Sequence, residues 1–347
     1  MELPLGLTAA WAGDRRKIVG LYALLLGANL IAWAAAIVEF GQRADLLAIA
    51  VLAYALGLRH AVDADHIAAI DNVVRKLMQE GKRPLAVGLF FSLGHSTLVV
   101  ATVAIVVVAA SLPARFAAMR EIGGAVGSGV SATFLLAIAL ANAFILRDVW
   151  RQFLRVRRGE RAEAEDLDGL LGRGLLARLF RPLFRMISAS WHMFPIGLLF
   201  ALGFDTATEV GLLGIAAAQT AQGLSAWSIL IFPALFAAGM VLIDTTDGVF
   251  MVGAYGWAFA NPLRKLWYNL TITAVSVLVA VLIGGIEALS VVADKLALQG
   301  AFWSAVGDLN DGLAFAGFAI IGLCILCWVA SALVYRWTLA PHAPLPE

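Results

Sequence analysis

Residues 85–110 read LAVGLFFSLGHSTLVVATVAIVVVAA, a run with no Lys, Arg, Asp or Glu and a single histidine, His95. A helix that crosses a bilayer needs about 20 apolar residues. A stretch this long and this apolar therefore predicts a membrane span. The surrounding chain reads the same way: 61% of its 347 residues are hydrophobic, 14% are charged, and the mean hydropathy is +0.88. Soluble domains carry about 25% charged residues. Comparable apolar runs lie at roughly 18–38, 46–74, 122–146, 190–218, 226–252, 267–292 and 312–337, by the hydropathy criterion. The expected fold class is an all-α polytopic membrane protein of eight transmembrane helices. The first run follows Arg15-Arg16-Lys17, but it continues past the length of a signal-peptide apolar region and seven more follow. It reads as a retained helix.

Basic residues set the expected orientation. Twenty Lys and Arg side chains fall before span one, at the very end of span eight (Arg336), or in the connections two–three, four–five and six–seven. Only Arg43, Arg115, Arg120 and Lys295 fall on the other side, and Arg59 lies within a span. The positive-inside rule then places both termini in the cytoplasm of a multi-pass cell-membrane protein. The connector 148–189, rich in Arg with interspersed Asp and Glu, divides the chain into four-helix halves, 1–147 and 190–347. It reads as a solvated linker. A net charge of +1 gives no basis for nucleic-acid binding. The two cysteines, Cys324 and Cys327, sit in one apolar run and read as packing residues.

Against this background the ionisable groups inside spans stand out, because each costs at least ~2.5–3.5 kcal/mol at the bilayer centre. Span two holds RHAVDADHIAAIDN, Arg59 to Asn72; span three holds His95; span five holds Asp205 and Glu209; span six holds Asp244 and Asp247. At 100° per residue an unbroken span two presents His60, Asp63 and His66 on one ridge and turns Asp65 away. If the helix unwinds locally, a His60–Asp65–His66 set forms instead; broken helices recur at midplane transport sites. Imidazoles with carboxylates and no thiolate describe a site for a borderline divalent metal. Thr206, Thr208, Thr245 and Thr246 are placed to orient its ligands.

Other polar residues have plainer readings. Asp71 and Asn72 read as a cap of span two, Glu287 as snorkelling, His192 as interfacial, and Glu39 and Asp45 as solvated. ALGLRHAVDADH (Ala55 to His66) and ALGFDTATEV (Ala201 to Val210) begin alike. Since spans two and five run in opposite directions, the pair suggests an inverted repeat of spans two–three and five–six.

Taken together, these motifs resemble those of the nickel/cobalt transporter family of secondary permeases. The resemblance rests on His60, Asp65 and His66 in span two, the GHS segment at His95, LGFDTATE in span five, and Gly239-Met240 with Asp244, Thr245 and Asp247 in span six. It implies high-affinity uptake of Ni²⁺ and/or Co²⁺ as transported substrate, with no resident cofactor. It implies that His60, Asp65 and His66 are essential; the candidate metal residues, read from the ionisable groups of the spans, are His60, Asp63, Asp65, His66, His95, Asp205, Glu209, Asp244 and Asp247. No Walker A pattern is present, which argues against ATP hydrolysis on this chain, and no HExxH for a metalloprotease. The expected partners are the lipid bilayer and a divalent ion. A metal exporter of related fold is the alternative.

Overall fold

The computed structural model describes residues 13–108, 128–140, 142–144, 146–147, 150–151, 154, 187–202, 207–259 and 262–334. Asp205, Arg115, Arg120, most of the connector and the side chains of Cys324 and Cys327 lie outside the described residues.

The described residues are helical and form no strand. Helices α1 (Arg15–Phe40), α2 (Ala44–His60), α3 (Ala64–Gln79) and α4 (Val87–Val108) come first, then the apolar helix α5 (Ser128–Phe144). A 3-10 turn, Ser190–His192, leads into α6 (Met193–Phe200) and α7 (Ala207–Ala221). The long helices α8 (Ala226–Phe259), α9 (Pro262–Lys295) and α10 (Ala301–Val334) follow. Among the described residues four helices are long and apolar enough to cross a membrane, and α2 with α3 makes a fifth if the bent pair is one span.

That bend decides between the two forms open for span two, in favour of the locally unwound one. The axes of α2 and α3 differ by 50° across a break of three residues, Ala61 to Asp63. Asp63 causes the restart: its backbone is extended and its Oδ1 accepts from Ala64 N at 2.9 Å. An Asp in this role satisfies a donor that the helix start leaves orphaned. In span five α6 ends at Phe200 and α7 begins at Ala207, with residues 203–206 outside the described residues.

Close helix crossings place these two points. α2 crosses α8 so tightly that a methyl at Gly57 would overlap the carbonyl oxygen of Phe236, and one at Gly239 would lie 3.0 Å from that of Tyr54. α6 crosses α4 in the same manner, Gly197 against the Phe91 carbonyl and Gly94 against that of Phe194. Small residues let helix backbones approach when apolar transfer gives no drive for helix association. Both crossings use an aromatic-x-x-Gly pair on each helix. Gly57 and Gly197 thus occupy like positions in the two crossings. Gly88 admits the backbone of Asp244 between α4 and α8, and Gly317 of α10 packs onto the Val62 carbonyl at the break.

Candidate metal centre

Three of the helix ends near these points deliver an ionisable side chain, and two more come from helix interiors. His60 is the last residue of α2, and His66 lies in the first turn of α3. His95 follows Gly94 on α4, Glu209 lies in the first turn of α7, and Asp244 sits midway along α8. None of these five is more than 3% exposed.

One ligand atom from each of His60, His66 and His95 lies within 4.8 Å of the others. The ring centroids are 4.6 Å apart for His60–His66, 4.7 Å for His60–His95 and 4.8 Å for His66–His95. His60 Nε2 is 2.9 Å from His95 Nε2, and Glu209 Oε1 is 2.8 Å from His95 Nε2 and 3.8 Å from His60 Nε2. On its other side His60 Nδ1 meets Thr208 Oγ1 at 3.0 Å. His66 Nδ1 meets Asp244 Oδ2 at 3.2 Å, and the Ser92 hydroxyl donates to that same oxygen. His66 Nε2 and Asp244 Oδ1 have no hydrogen-bond partner among the described residues. Burying unpartnered polar atoms is costly, so these two atoms point to an interaction with something other than protein. Aromatic rings wall the cluster: Phe91 stands edge-on to His66, Phe236 tilts against His60, and Phe200 packs on Phe91.

The carboxylates of span two are placed differently. Asp63 Oδ1 is held by Ala64 N, and Asp65 Oδ1 accepts from His66 N at 2.8 Å. Both therefore engage the first turn of α3. Asp247 lies one turn beyond Asp244, and its Oδ2 is buried without a hydrogen-bond partner among the described residues. Tyr22 reaches Thr246 at 3.1 Å, which draws that threonine toward α1.

A second buried polar network replaces the cap expected at Asp71 and Asn72. Tyr255 donates to Asp71 Oδ1 at 2.5 Å, Ser276 to Oδ2 at 2.7 Å, and Arg75 stands 3.6 Å away. Asn72 Oδ1 accepts from Arg75 at 2.8 Å and from Asn142 at 2.5 Å. The network joins α3 to α5, α8 and α9. Its trace in the sequence is the i, i+4 spacing of Asp71 and Arg75. Glu287 accepts from Ser131 at 2.8 Å and so also bridges two helices, α9 and α5. His192 accepts from Ser188 N near Trp191, outside the cluster. Glu39 is exposed and accepts from Ser228, while Asp45 pairs with Arg43 at 3.0 Å.

The profile of the family described as "NicO: High-affinity nickel-transport protein" matches residues 46–334. The high-affinity nickel transport protein of Cupriavidus necator is 58% identical over 93% of this chain and 92% of its own length. The nickel transporter NicT of Mycobacterium tuberculosis is 43% identical over 92% of this chain and 91% of its own. The cobalt transport protein NhlF of Rhodococcus rhodochrous is 40% identical over 82% and 81% respectively. No solved structure matches.

Proposed function

The chain belongs to the NicO family of high-affinity nickel-transport proteins, and from that premise we propose that it takes up Ni²⁺, Co²⁺ or both through the buried His60–His66–His95 cluster. The observation that carries this reading is the convergence of three buried imidazoles within 4.8 Å. Relatives named for nickel and for cobalt transport support the choice of ions.

His60, His66, His95 and Glu209 form the inner donor set, an N/O site for a borderline dication. Asp244 orients His66 from its Nδ1 side, as carboxylates do for metal-bound imidazoles. Asp63, Asp65 and Asp247 flank the set, and Asp205 is assigned to it on the sequence motif alone. Two Nε2 atoms 2.9 Å apart subtend about 90° at an ion about 2.1 Å from each. That is compatible with cis positions of an octahedral or square-planar ion.

The chain is a secondary permease and not an enzyme. It spans the cytoplasmic membrane eight times with both termini inside, and the connector 148–189 joins two four-helix halves. Rocking of spans two–three against five–six, as inverted repeats, exposes the site alternately to each side. The inside-negative potential adds about 2.3 kcal/mol per charge per 100 mV, twice that for a dication.

Uptake of radiolabelled Ni²⁺ and Co²⁺ into cells tests this, each ion competed by the other and by Zn²⁺. Wild type should accumulate label, with Ni²⁺ and Co²⁺ competing more strongly than Zn²⁺, and His60→Ala and His66→Ala should accumulate none above background. Normal uptake in both variants contradicts the assignment, and falling cell-associated label on expression contradicts the direction.

A further inference from the structure

We infer that Ser92 and Thr208 are positioning residues that fix which nitrogen of His66 and His60 meets the ion, and thereby set affinity and metal choice. The inference rests on the cluster being the metal site.

An ionised carboxylate can only accept hydrogen bonds. The contact between Asp244 Oδ2 and His66 Nδ1 therefore places the proton on Nδ1 and leaves the Nε2 lone pair available. Ser92 donates to that same Oδ2. It holds the acceptor that holds the imidazole. Ser92 is fully buried on α4, and Gly88, one turn earlier, is the glycine that admits the Asp244 backbone. The close crossing of α4 and α8 thus brings the hydroxyl within reach.

Thr208 serves His60 in the same way. Its Oγ1 lies 3.0 Å from Nδ1 and is buried. A hydroxyl accepts as well as donates, so Thr208 accepting from Nδ1–H leaves the His60 Nε2 lone pair facing His95 at 2.9 Å. The neighbouring Glu209 reaches His95 from the same helix turn. One turn of α7 therefore sets two of the three rings. Selectivity among divalent ions comes from geometry and not from raw affinity, so groups that fix ring orientation act on metal choice.

The test uses the purified full-length protein and the metal ions alone. Ni²⁺ and Co²⁺ dissociation constants, the visible absorption of bound Co²⁺, and KM against maximal uptake rate are measured for Ser92→Ala, Thr208→Val and Thr208→Ser. Loss of such an outer partner typically costs 10–100-fold in metal affinity. Ser92→Ala and Thr208→Val should each weaken Ni²⁺ binding by about that factor, raise KM more than they lower the maximal rate, and shift the Co²⁺ bands. Thr208→Ser keeps the hydroxyl and should bind like wild type even if Thr208→Val fails to accumulate. Unchanged affinity and spectrum in Ser92→Ala and Thr208→Val, or a Thr208→Ser as weak as Thr208→Val, overturns the inference. Wild type that binds neither ion overturns the metal-site reading beneath it.

Discussion

His95 is the side chain on which the cluster turns. Its Nε2 stands between His60 Nε2 and Glu209 Oε1, at 2.9 and 2.8 Å. His95→Ala should abolish Ni²⁺ uptake, while Glu209→Gln, which keeps the shape and removes the charge, should lower it at least tenfold; initial rates of radiolabel uptake in matched expression read both. Ligating imidazoles must be neutral, and an ordinary histidine protonates near pH ~6.5. Uptake should therefore be highest above that value and fall as pH drops toward 5; a flat profile from pH 7 to pH 5 argues against imidazole ligation. At this scale the sequence is legible, because a charged group in an apolar run is conspicuous. His60, His66, His95, Glu209 and Asp244 are all visible that way. Asp71 is visible too, but its partners Tyr255 and Ser276 are 184 and 205 residues distant, and no local pattern separates such a node from a cap.

At the scale of elements, the decisive features are the break at Ala61 to Asp63 and the paired aromatic-x-x-Gly crossings. A wheel drawn on a continuous helix turns Asp63 toward the two histidines. The break instead makes Asp63 an N-cap and brings His60 and His66 together across the bend. The available signal was Asp63 itself, with Asp65 in the first turn of the new helix, where acidic side chains favour the helix start. The crossings were harder to read. Gly57 packs on Phe236 and Gly197 on Phe91, contacts between helices far apart in sequence that no local pattern reveals. Gly94→Ala should destabilise the fold by about 1–3 kcal/mol through overpacking, lowering the detergent melting temperature and the uptake rate together. Gly214→Ala, which meets open space inside α7, should leave uptake unchanged and not lower the melting temperature, since Ala is the better helix former.

Over the whole molecule, the histidines come from spans two and three, and their partners Thr208, Glu209 and Asp244 come from spans five and six. The site is therefore assembled only where the two sets of spans meet. In the proposed mechanism, rocking them apart removes Glu209 from His95 and Asp244 from His66, which weakens the grip on the ion as the exit opens. The hydrogen bonds of Asp71 to Tyr255 and Ser276 link α3 to α8 and α9 away from the cluster, so they form a pivot about which the two sets turn in the proposed rocking. Collapsing the membrane potential should slow uptake of either dication without altering its equilibrium binding to the purified protein. That the chain is helical, with several helices long and apolar enough to cross a membrane, was readable from apolar length alone, because lipid imposes so few solutions on a backbone.

The most direct test is the nickel X-ray absorption spectrum of the purified, Ni²⁺-loaded protein. The account predicts a nitrogen/oxygen first shell with outer scattering from three imidazoles, and one imidazole fewer in each of His60→Ala, His66→Ala and His95→Ala where nickel is retained at high concentration. An oxygen-only shell in wild type, or an unchanged imidazole count in these variants, would contradict it.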